Sequence, residues 1–182
     1  ILNSDHPDVE EFIDCKLNEE RKAWALIDAG YDGNFNGGEA YASVFFQNSN
    51  NSVRVSDAFM EAVEKDADWQ LKAVTTGETL ETVKARYLLN KMAEAAWVCG
   101  DPGIQYDDNI NRWHTSANTA RINASNPCSE FVFLDDTACN LASLNLMKFV
   151  KDDGEFAIED FKHAVRIVLS AQEILVSNSS YP

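Results

Sequence analysis

Amphipathic helical segments alternate with short apolar runs along this chain, and this alternation constrains its fold more than any other feature. Residues 156–176 carry apolar side chains at helical spacing, which predicts an amphipathic helix. Residues 69–74 instead alternate apolar and polar side chains, as a half-buried strand does. Because helices and strands are interleaved along the chain, we expect an α/β architecture.

Local start and stop signals predict further helices. A helix is predicted from about Pro7 to Ala29, either as one continuous helix or as one that restarts near Glu19. Gly30 offers its C-cap. Ser56 is the expected N-cap of a short second helix. Thr79 is the expected cap of a longer third helix, whose apolar stripe continues to Ala95.

The remaining segments are predicted to be strands or loops. Residues 31–38 are rich in glycine and asparagine and predict an exposed turn, whereas 40–47 is apolar and short enough to be a buried strand. Residues 106–130 are polar and lack a sustained period, which favours a long ordered loop region that carries function. We expect a short strand at 131–134, and 138–147 is ambiguous between helix and strand.

Size and charge limit the functional classes. At 182 residues and 45% apolar content, the chain can bury a sizeable core, as one domain or as one piece of a larger domain. The net charge of −15 argues against a nucleic-acid polymer as partner, since such binders present a basic patch to phosphates. A mononucleotide stays compatible with this charge, because a few backbone N–H groups can hold a small anion.

The cysteines, at positions 15, 99, 128 and 139, show no C-x-x-C spacing. No signal peptide or long apolar run precedes them, which favours a soluble protein of the reducing cytoplasm with no membrane partner. The histidines have no metal-ligand spacing with one another or with the cysteines, so no metal site is expected. The chain begins at Ile1 without a start methionine, and we expect an internal piece of a longer protein.

Residues 126–130 place a thiol between a carboxamide and a carboxylate. In an extended segment, Asn126, Cys128 and Glu130 would point to the same side and face one ligand together. Pro127 lacks an N–H and has a fixed φ, which disfavours a regular helix or central strand and favours a constrained loop. A second thiol, Cys139, follows eleven residues after the first.

The stretches around this motif closely resemble adenosylcobalamin-dependent, or class II, ribonucleotide reductases. The resemblance rests first on RINASNPCSE at 121–130 and LDDTACNLASLNL at 134–146. Further segments match the same family in the same order: SDHPDVEEFI at 4–13, NNSVRV at 50–55, AAW at 95–97, GDPG at 100–103 and INRWH at 110–114. Relatives often carry Cys-Pro and then Gly shortly after this last segment, whereas this chain has Ser116, Ala117 and Ala120.

This resemblance implies a fold. Residues 1–182 would form the central portion of the ten-stranded α/β barrel of ribonucleotide reductases, with flanks missing at both ends and with Cys128 on a finger loop inside the barrel. The effector-specificity loops would lie before Ile1 and the substrate phosphate loop after Pro182. The chain is therefore not expected to turn over alone.

The resemblance also implies roles for named residues. Cys128 matches the cysteine that loses hydrogen to a deoxyadenosyl radical, and its thiyl radical then takes the 3′ hydrogen of the ribose. Glu130 matches the general base for the 3′-hydroxyl, and Asn126 the carboxamide that orients the sugar; with Ser125, these two would bind substrate. Cys139 matches one member of a redox cysteine pair, whose partner would lie upstream of this chain.

Other cysteines and the cofactor site receive no such role. Cys15 and Cys99 lie outside any matching motif, so packing is expected to explain both. The resemblance implies adenosylcobalamin as cofactor but assigns no residue here to hold it. It also implies a ribonucleotide substrate, deoxynucleotide effectors bound elsewhere, thioredoxin or a similar dithiol as reductant, and a possible homodimer.

The activity implied is that of a ribonucleoside-diphosphate reductase, although the sequence itself does not separate diphosphates from triphosphates. A related alternative is the catalytic subunit of the oxygen-dependent class I reductases, which shares the thiyl mechanism and needs a separate metal-containing subunit. An alternative from another class is a nucleotide-binding segment that does not catalyse. Loss of an essential residue in the flanks would be its fingerprint.

Overall fold

The structure is a computed structural model in which residues 1–180 are described. The chain forms two units, and the first, Ile1–Leu134, is built around a three-stranded parallel sheet. Its described elements are, in chain order, β1 (Leu2–Asn3), α1 (Val9–Asp28), α2 (Glu39–Ala42), β2 (Ser52–Val55), α3 (Asp57–Glu64), β3 (Asp68–Lys72), β4 (Thr79–Lys84), α4 (Ala85–Cys99), β5 (Gly103–Tyr106) and α5 (Asp107–Arg112). The parallel sheet has the order β1-β2-β5, and β3 pairs with β4 in an antiparallel hairpin. The predicted mixed α/β architecture is confirmed.

One face of the parallel sheet is apolar. Val53 and Val55 of β2 are fully buried and point to the same side, because side chains two apart in a strand share a face. They pack against apolar side chains of the surrounding helices and of the hairpin. The core on this side includes Val9, Ile13, Leu17, Phe59, Val63, Leu71, Leu88, Met92 and Ala95. Hydrophobic burial therefore fixes the helices against this face.

The opposite face of the sheet is polar and also buried. Ser52 and Arg54 alternate with the two valines, and Gln105 is the register partner of Arg54 on β5. These three side chains are only 4–5% exposed. The segment 121–130 covers this face, since Arg54 Nη2 donates to the carbonyl of Ile122 (2.8 Å). An irregular segment can lie on this face because polar side chains of the sheet hydrogen-bond to it, and Ile122 is its buried residue.

Arg54 connects four parts of the first unit. Its Nε donates to Asp107 Oδ1 (2.5 Å) at the start of α5, and its Nη1 donates to Gln105 Oε1 (3.2 Å) on β5. Asp107 also pairs with Arg121, directly before the covering segment. The buried guanidinium thus has a carboxylate, an amide oxygen and a peptide carbonyl as acceptors, the pairing that a buried charge requires.

The end of α1 and the start of α3 lie where the capping residues of the sequence predict them. The predicted first helix is α1, and it ends in a Schellman motif: Gly30 has φ 97°, its N–H donates to Ile27, and the N–H of Tyr31 donates to Leu26. Ser56 caps α3 as predicted, since its hydroxyl accepts from the backbone N–H of Phe59 (3.1 Å). The predicted strand at 69–74 is confirmed as β3.

The helix predicted from Thr79 was wrong in its first part. Residues 79–84 form β4, in which Val83 pairs with Trp69 of β3, and α4 begins only at Ala85. Leu80, which lies in the first turn of the helix predicted from Thr79, is 61% exposed. The threonines and valine in this stretch favour a strand once a hairpin partner is present. The predicted end is right, because Gly100 adopts a left-handed conformation with φ 81°.

The buried strand predicted at 40–47 is also wrong. The chain forms α2 and then an irregular stretch in which Phe45 and Phe46 are 66% and 49% exposed. The backbone N–H of Phe45 donates to the Glu19 side chain (2.9 Å) rather than to a strand. Residues 31–38 form the turn that was predicted, and they are exposed apart from the buried Gly38.

The predicted loop at 106–130 and strand at 131–134 need correction too. The loop prediction missed the last residue of β5 and the helix α5, which occupies Asp107–Arg112. Residues 113–130 are irregular, as predicted. The predicted strand at 131–134 is irregular as well, because the N–H of Phe131 donates to the Asn126 side chain (2.9 Å) instead of a neighbouring strand.

The second unit begins at Asp135 and contains a helix that was predicted. A 3₁₀ turn at Leu146–Phe149 follows an irregular stretch, which settles the ambiguous region 138–147, and α6 spans Ile158–Ser177. The ring of Phe149 lies 5.3 Å from that of Phe161. None of the helices in the described part of the chain is both long enough and apolar enough to cross a membrane.

Replacement of Arg54 by methionine tests the buried pairing. Arg54→Met leaves Asp107 and the carbonyl of Ile122 without their buried partner, so we expect the free energy of unfolding to fall by about 3–5 kcal/mol. Chemical denaturation of the full-length protein measures this loss. The matched control is Arg112→Met, which removes an exposed pair with Asp57 and should cost about 0–1 kcal/mol. Equal losses in the two variants would contradict this account of Arg54.

Candidate active site

The Cys128 turn, residues 126–131, is the best candidate for an active site. The N–H of Ser129 donates to the carbonyl of Asn126 (3.0 Å), and the N–H of Asn126 donates to the carbonyl of Phe131 (3.1 Å). Pro127 takes the second position of this turn, where its fixed φ is favourable. Ser129 adopts a left-handed conformation with φ 67°. The turn presents Cys128 as an exposed thiol.

The turn replaces the extended segment that was expected. Asn126, Cys128 and Glu130 do not face one side through strand alternation, because the chain reverses at Pro127 and Cys128. The structure nevertheless brings the carboxamide and the carboxylate together, since the side chain of Asn126 hydrogen-bonds that of Glu130. The constrained loop predicted from Pro127 is confirmed.

The hydrogen bond from Asn126 tunes the Glu130 carboxylate. It holds the pKa of Glu130 below its ordinary value, and the residue's own backbone N–H acts in the same direction. Glu130 is fully exposed, so solvent screens this effect. The carboxylate is therefore ionised, and able to accept a proton, over a wider pH range than a free glutamate.

A residue outside the motif contacts the sulfur. Asn50, just before β2, donates its side-chain amide to Cys128 Sγ (3.6 Å). No role was predicted for Asn50, although it lies in one of the matched segments. The two residues are 78 positions apart, and no local pattern predicts such a contact. Asn50 orients the thiol without burying it, because both side chains remain exposed.

Gln105 attaches the turn to the polar face of the sheet. Its side-chain amide donates to Ser125 Oγ (2.7 Å) and to Ser129 Oγ (3.0 Å), the hydroxyls on either side of Cys128. Ser125 in turn donates to the carbonyl of Asn126 (2.7 Å). The Ser125 hydroxyl is thus engaged within the protein, and its predicted contact with substrate stays a prediction. Gln105 was not predicted, because nothing in the sequence around it distinguishes it from a surface glutamine.

The loop that departs from the family pattern is held by His114. Its Nε2 lies 3.0 Å from the carbonyl oxygen of Ala120, and its Nδ1 accepts from the N–H of Ser116 (3.4 Å). The His114 ring also packs edge-on against Phe133, with ring centroids 5.7 Å apart. These contacts order the loop despite the substitutions at 116, 117 and 120.

A cavity of about 530 Å³ adjoins the turn within the first unit. Its walls are mainly apolar and aromatic, while Gln105 and Ser129 contribute polar groups. The ring-bearing residues that line it are Tyr106, Trp113, His114 and Phe133. Such a mixture suits a planar organic group better than a hydrated ion.

The other cysteines are placed differently. Cys139 belongs to the second unit and is half-buried, so its predicted redox role stays a prediction. All four cysteines, which lie within the described residues, are free. Cys15 donates to the carbonyl of Phe12 (3.1 Å), and burial raises its thiol pKa. Cys99 donates to the carbonyl of Ala95 (3.3 Å). These contacts fit the packing role expected for Cys15 and Cys99.

Comparison with known proteins places this chain in a family. The family described as ribonucleotide reductase, barrel domain, matches residues 1–182. A vitamin B12-dependent ribonucleotide reductase of Rhodopirellula baltica is 62% identical over 179 residues, which cover 97% of this chain and 17% of the relative. A protein of the same name from Streptomyces avermitilis is 54% identical over 186 residues, covering 100% of this chain and 19% of the relative.

A more distant relative has a more specific name. The vitamin B12-dependent ribonucleoside-diphosphate reductase of Thermoplasma acidophilum is 28% identical over 182 residues, covering 100% of this chain and 21% of that protein. The chain therefore spans about a fifth of the length of these curated relatives. The resemblance drawn from the sequence motifs is confirmed. This chain belongs to the ribonucleotide reductase barrel domain family.

Proposed function

We propose that the protein carrying this chain reduces ribonucleotides to 2′-deoxyribonucleotides, with adenosylcobalamin as the source of the radical. The observation that carries this proposal is the Cys128 turn, in which an exposed thiol lies beside a hydrogen-bonded amide and carboxylate pair. The family match and the names of the relatives support it. A ribonucleoside diphosphate is the substrate we favour, as in the name of the more distant relative.

The fold supports a corresponding architecture. We propose that β1, β2 and β5 belong to a ten-stranded α/β barrel, of which residues 1–182 are the central portion. The polar faces of β2 and β5, covered by 121–130, would line the barrel interior. The Cys128 turn would then be the tip of the finger loop. Strands with one polar buried face and one apolar face packed on helices suit such a closed sheet.

Cys128 would carry the radical. When bound, adenosylcobalamin supplies a radical that removes a hydrogen atom from a thiol. The residues present fit this requirement, because the Cys128 sulfur is exposed and its amide contact from Asn50 leaves the S–H hydrogen free. The resulting thiyl radical takes the hydrogen atom from the 3′ carbon of the ribose. A radical on that carbon activates the neighbouring 2′ position.

Glu130 and Asn126 would direct the loss of water. The Glu130 carboxylate, which its lowered pKa keeps ionised, accepts the proton of the 3′-hydroxyl. The 2′-hydroxyl takes a proton from one thiol of the redox cysteine pair and leaves as water. The side chain of Asn126 can donate and accept, so it can hold a sugar hydroxyl while it orients Glu130.

Cys139 and a second cysteine outside this chain would supply the two electrons of the reduction. One thiol has given its proton to the departing water, and the other gives a hydrogen atom to the 2′ carbon. The two sulfurs then join as a disulfide and pass one electron to the 3′ carbon, Glu130 returns its proton to the 3′ oxygen, and Cys128 returns its hydrogen atom to the 3′ carbon. Thioredoxin or a similar dithiol then restores the pair. We propose further that deoxynucleotide effectors bind outside this chain, that the protein forms a homodimer, and that it works in the reducing cytoplasm, where free cysteines persist.

The decisive variant is Cys128→Ala in the full-length protein. We expect it to abolish ribonucleotide reduction, since it removes the thiol that we propose takes the 3′ hydrogen atom. Deoxynucleotide formation is measured with adenosylcobalamin, a dithiol, and either diphosphate or triphosphate substrates. Cys99→Ala is the matched control, because that thiol is a packing contact and its loss should leave turnover near the wild-type rate.

Each other outcome of this assay points to a different reading. If Cys128→Ala reduced ribonucleotides at the wild-type rate, the assignment of the thiyl radical to Cys128 would be wrong. Activity that requires a separate metal-containing subunit would move the protein to the oxygen-dependent class. The wild-type protein could also be inactive both with adenosylcobalamin and with a separate metal-containing subunit, while still binding nucleotide. That result would favour a nucleotide-binding segment that does not catalyse.

The pH dependence tests the pairing of Asn126 with Glu130. Because Asn126 lowers the Glu130 pKa, the base stays ionised at lower pH in the wild-type protein. In Asn126→Ala that pKa rises, so the acidic limb of the kcat/KM profile should move to higher pH. The profile is measured at saturating cofactor and reductant. An acidic limb that stays in place would show that Asn126 does not tune the reacting base.

A further inference from the structure

We infer that Gln105 is the positioning residue of the Cys128 turn, which it holds against the sheet in the place where the sulfur can react. The inference rests on the proposed function for the meaning of that place. Gln105 touches neither the sulfur nor the groups assigned to substrate chemistry at Asn126 and Glu130; it acts through two serine hydroxyls.

Both N–H bonds of the Gln105 amide are used on the turn. They reach Ser125 Oγ at 2.7 Å and Ser129 Oγ at 3.0 Å, three residues before and one residue after Cys128. The two hydroxyls are themselves 3.4 Å apart. The Gln105 side chain thus hydrogen-bonds the turn both before and after Cys128. A shift of either side of the turn would break one of these hydrogen bonds.

The orientation of the Gln105 amide is determined by Arg54. Its Oε1 accepts from Arg54 Nη1 (3.2 Å), and a guanidinium can only donate. A flipped amide would place N–H groups against the cation, so the oxygen must face Arg54 and the N–H groups must face the serines. Arg54 is held in turn by Asp107. The turn is therefore connected, through Gln105, to the most buried charge of this sheet face.

The attachment reaches the backbone of the turn. Ser125 donates to the carbonyl of Asn126 (2.7 Å), which also accepts the N–H of Ser129 that closes the turn. Gln105 is 5% exposed, so an unmade bond here is not replaced readily by solvent. Loss of the Gln105 amide would let the Cys128 turn move relative to the sheet by a fraction of an ångström or more. A reacting group misplaced by about 1 Å can lose about 100-fold in rate.

The test uses Gln105→Met in the full-length protein, because methionine keeps the length of the side chain and removes both donors and the acceptor. We expect kcat to fall by roughly 10- to 100-fold. We also expect peptide-resolved alkylation of the Cys128 thiol, without substrate, to become faster while alkylation of Cys99 keeps its rate. Gln70→Met is the control: that exposed glutamine accepts from Thr79 (3.2 Å) on the hairpin, and both readouts should be unchanged.

A double-mutant cycle with Ser129→Ala separates positioning from general damage. If Gln105 acts through this hydroxyl, the double variant loses less rate than the product of the two single losses. Multiplicative losses would overturn the inference, as would wild-type kcat and alkylation in Gln105→Met. If instead Cys128→Ala stays active, the proposed function fails, and the alkylation rates alone still report whether Gln105 holds the turn.

Discussion

A buried guanidinium is the constraint on which the rest of the first unit depends. Arg54 lies on the central strand of the parallel sheet, 4% exposed, and a charge in that position must be paired. The carboxylate of Asp107, the amide oxygen of Gln105 and the carbonyl of Ile122 meet this demand. Gln105 and Asp107 lie two residues apart, at the end of β5 and the start of α5, whereas Ile122 belongs to the segment that covers the sheet. The irregular segment 121–130 can therefore be ordered on the sheet without secondary structure of its own.

The two faces of this sheet have different roles: one packs against the helices and the other binds the Cys128 turn. The valines of β2 hold the helices by hydrophobic burial, which gives a rigid support with no chemical function. The polar face holds the Cys128 turn by directed hydrogen bonds, which fix position more narrowly than apolar contacts do. The exposed thiol of Cys128 is thereby held in place by the sheet. Its exposure and its support come from different residues.

Local signals explain what was predictable from the sequence. The helix α6 and the Ser56 cap of α3 are specified by spacing and by residues one turn apart, and both were predicted. The strand β4 was not, since its conformation depends on pairing with β3. Likewise, Cys128 and Glu130 stand out in a short motif, whereas Gln105 and Asn50 reach the turn over 20 to 78 positions. Tertiary contacts decide their roles, and no local pattern records them.

We propose that the Cys128 turn, held on the polar face of the sheet, brings its sulfur to the ribose of the substrate. A crystal structure of the full-length protein with a bound ribonucleotide tests it most directly. We expect Cys128 Sγ in contact with the 3′ carbon, Glu130 within hydrogen-bond distance of the 3′-hydroxyl, and Gln105 still bonded to both serines. A ribose bound away from this turn, or a turn detached from Gln105 in the complex, would contradict it.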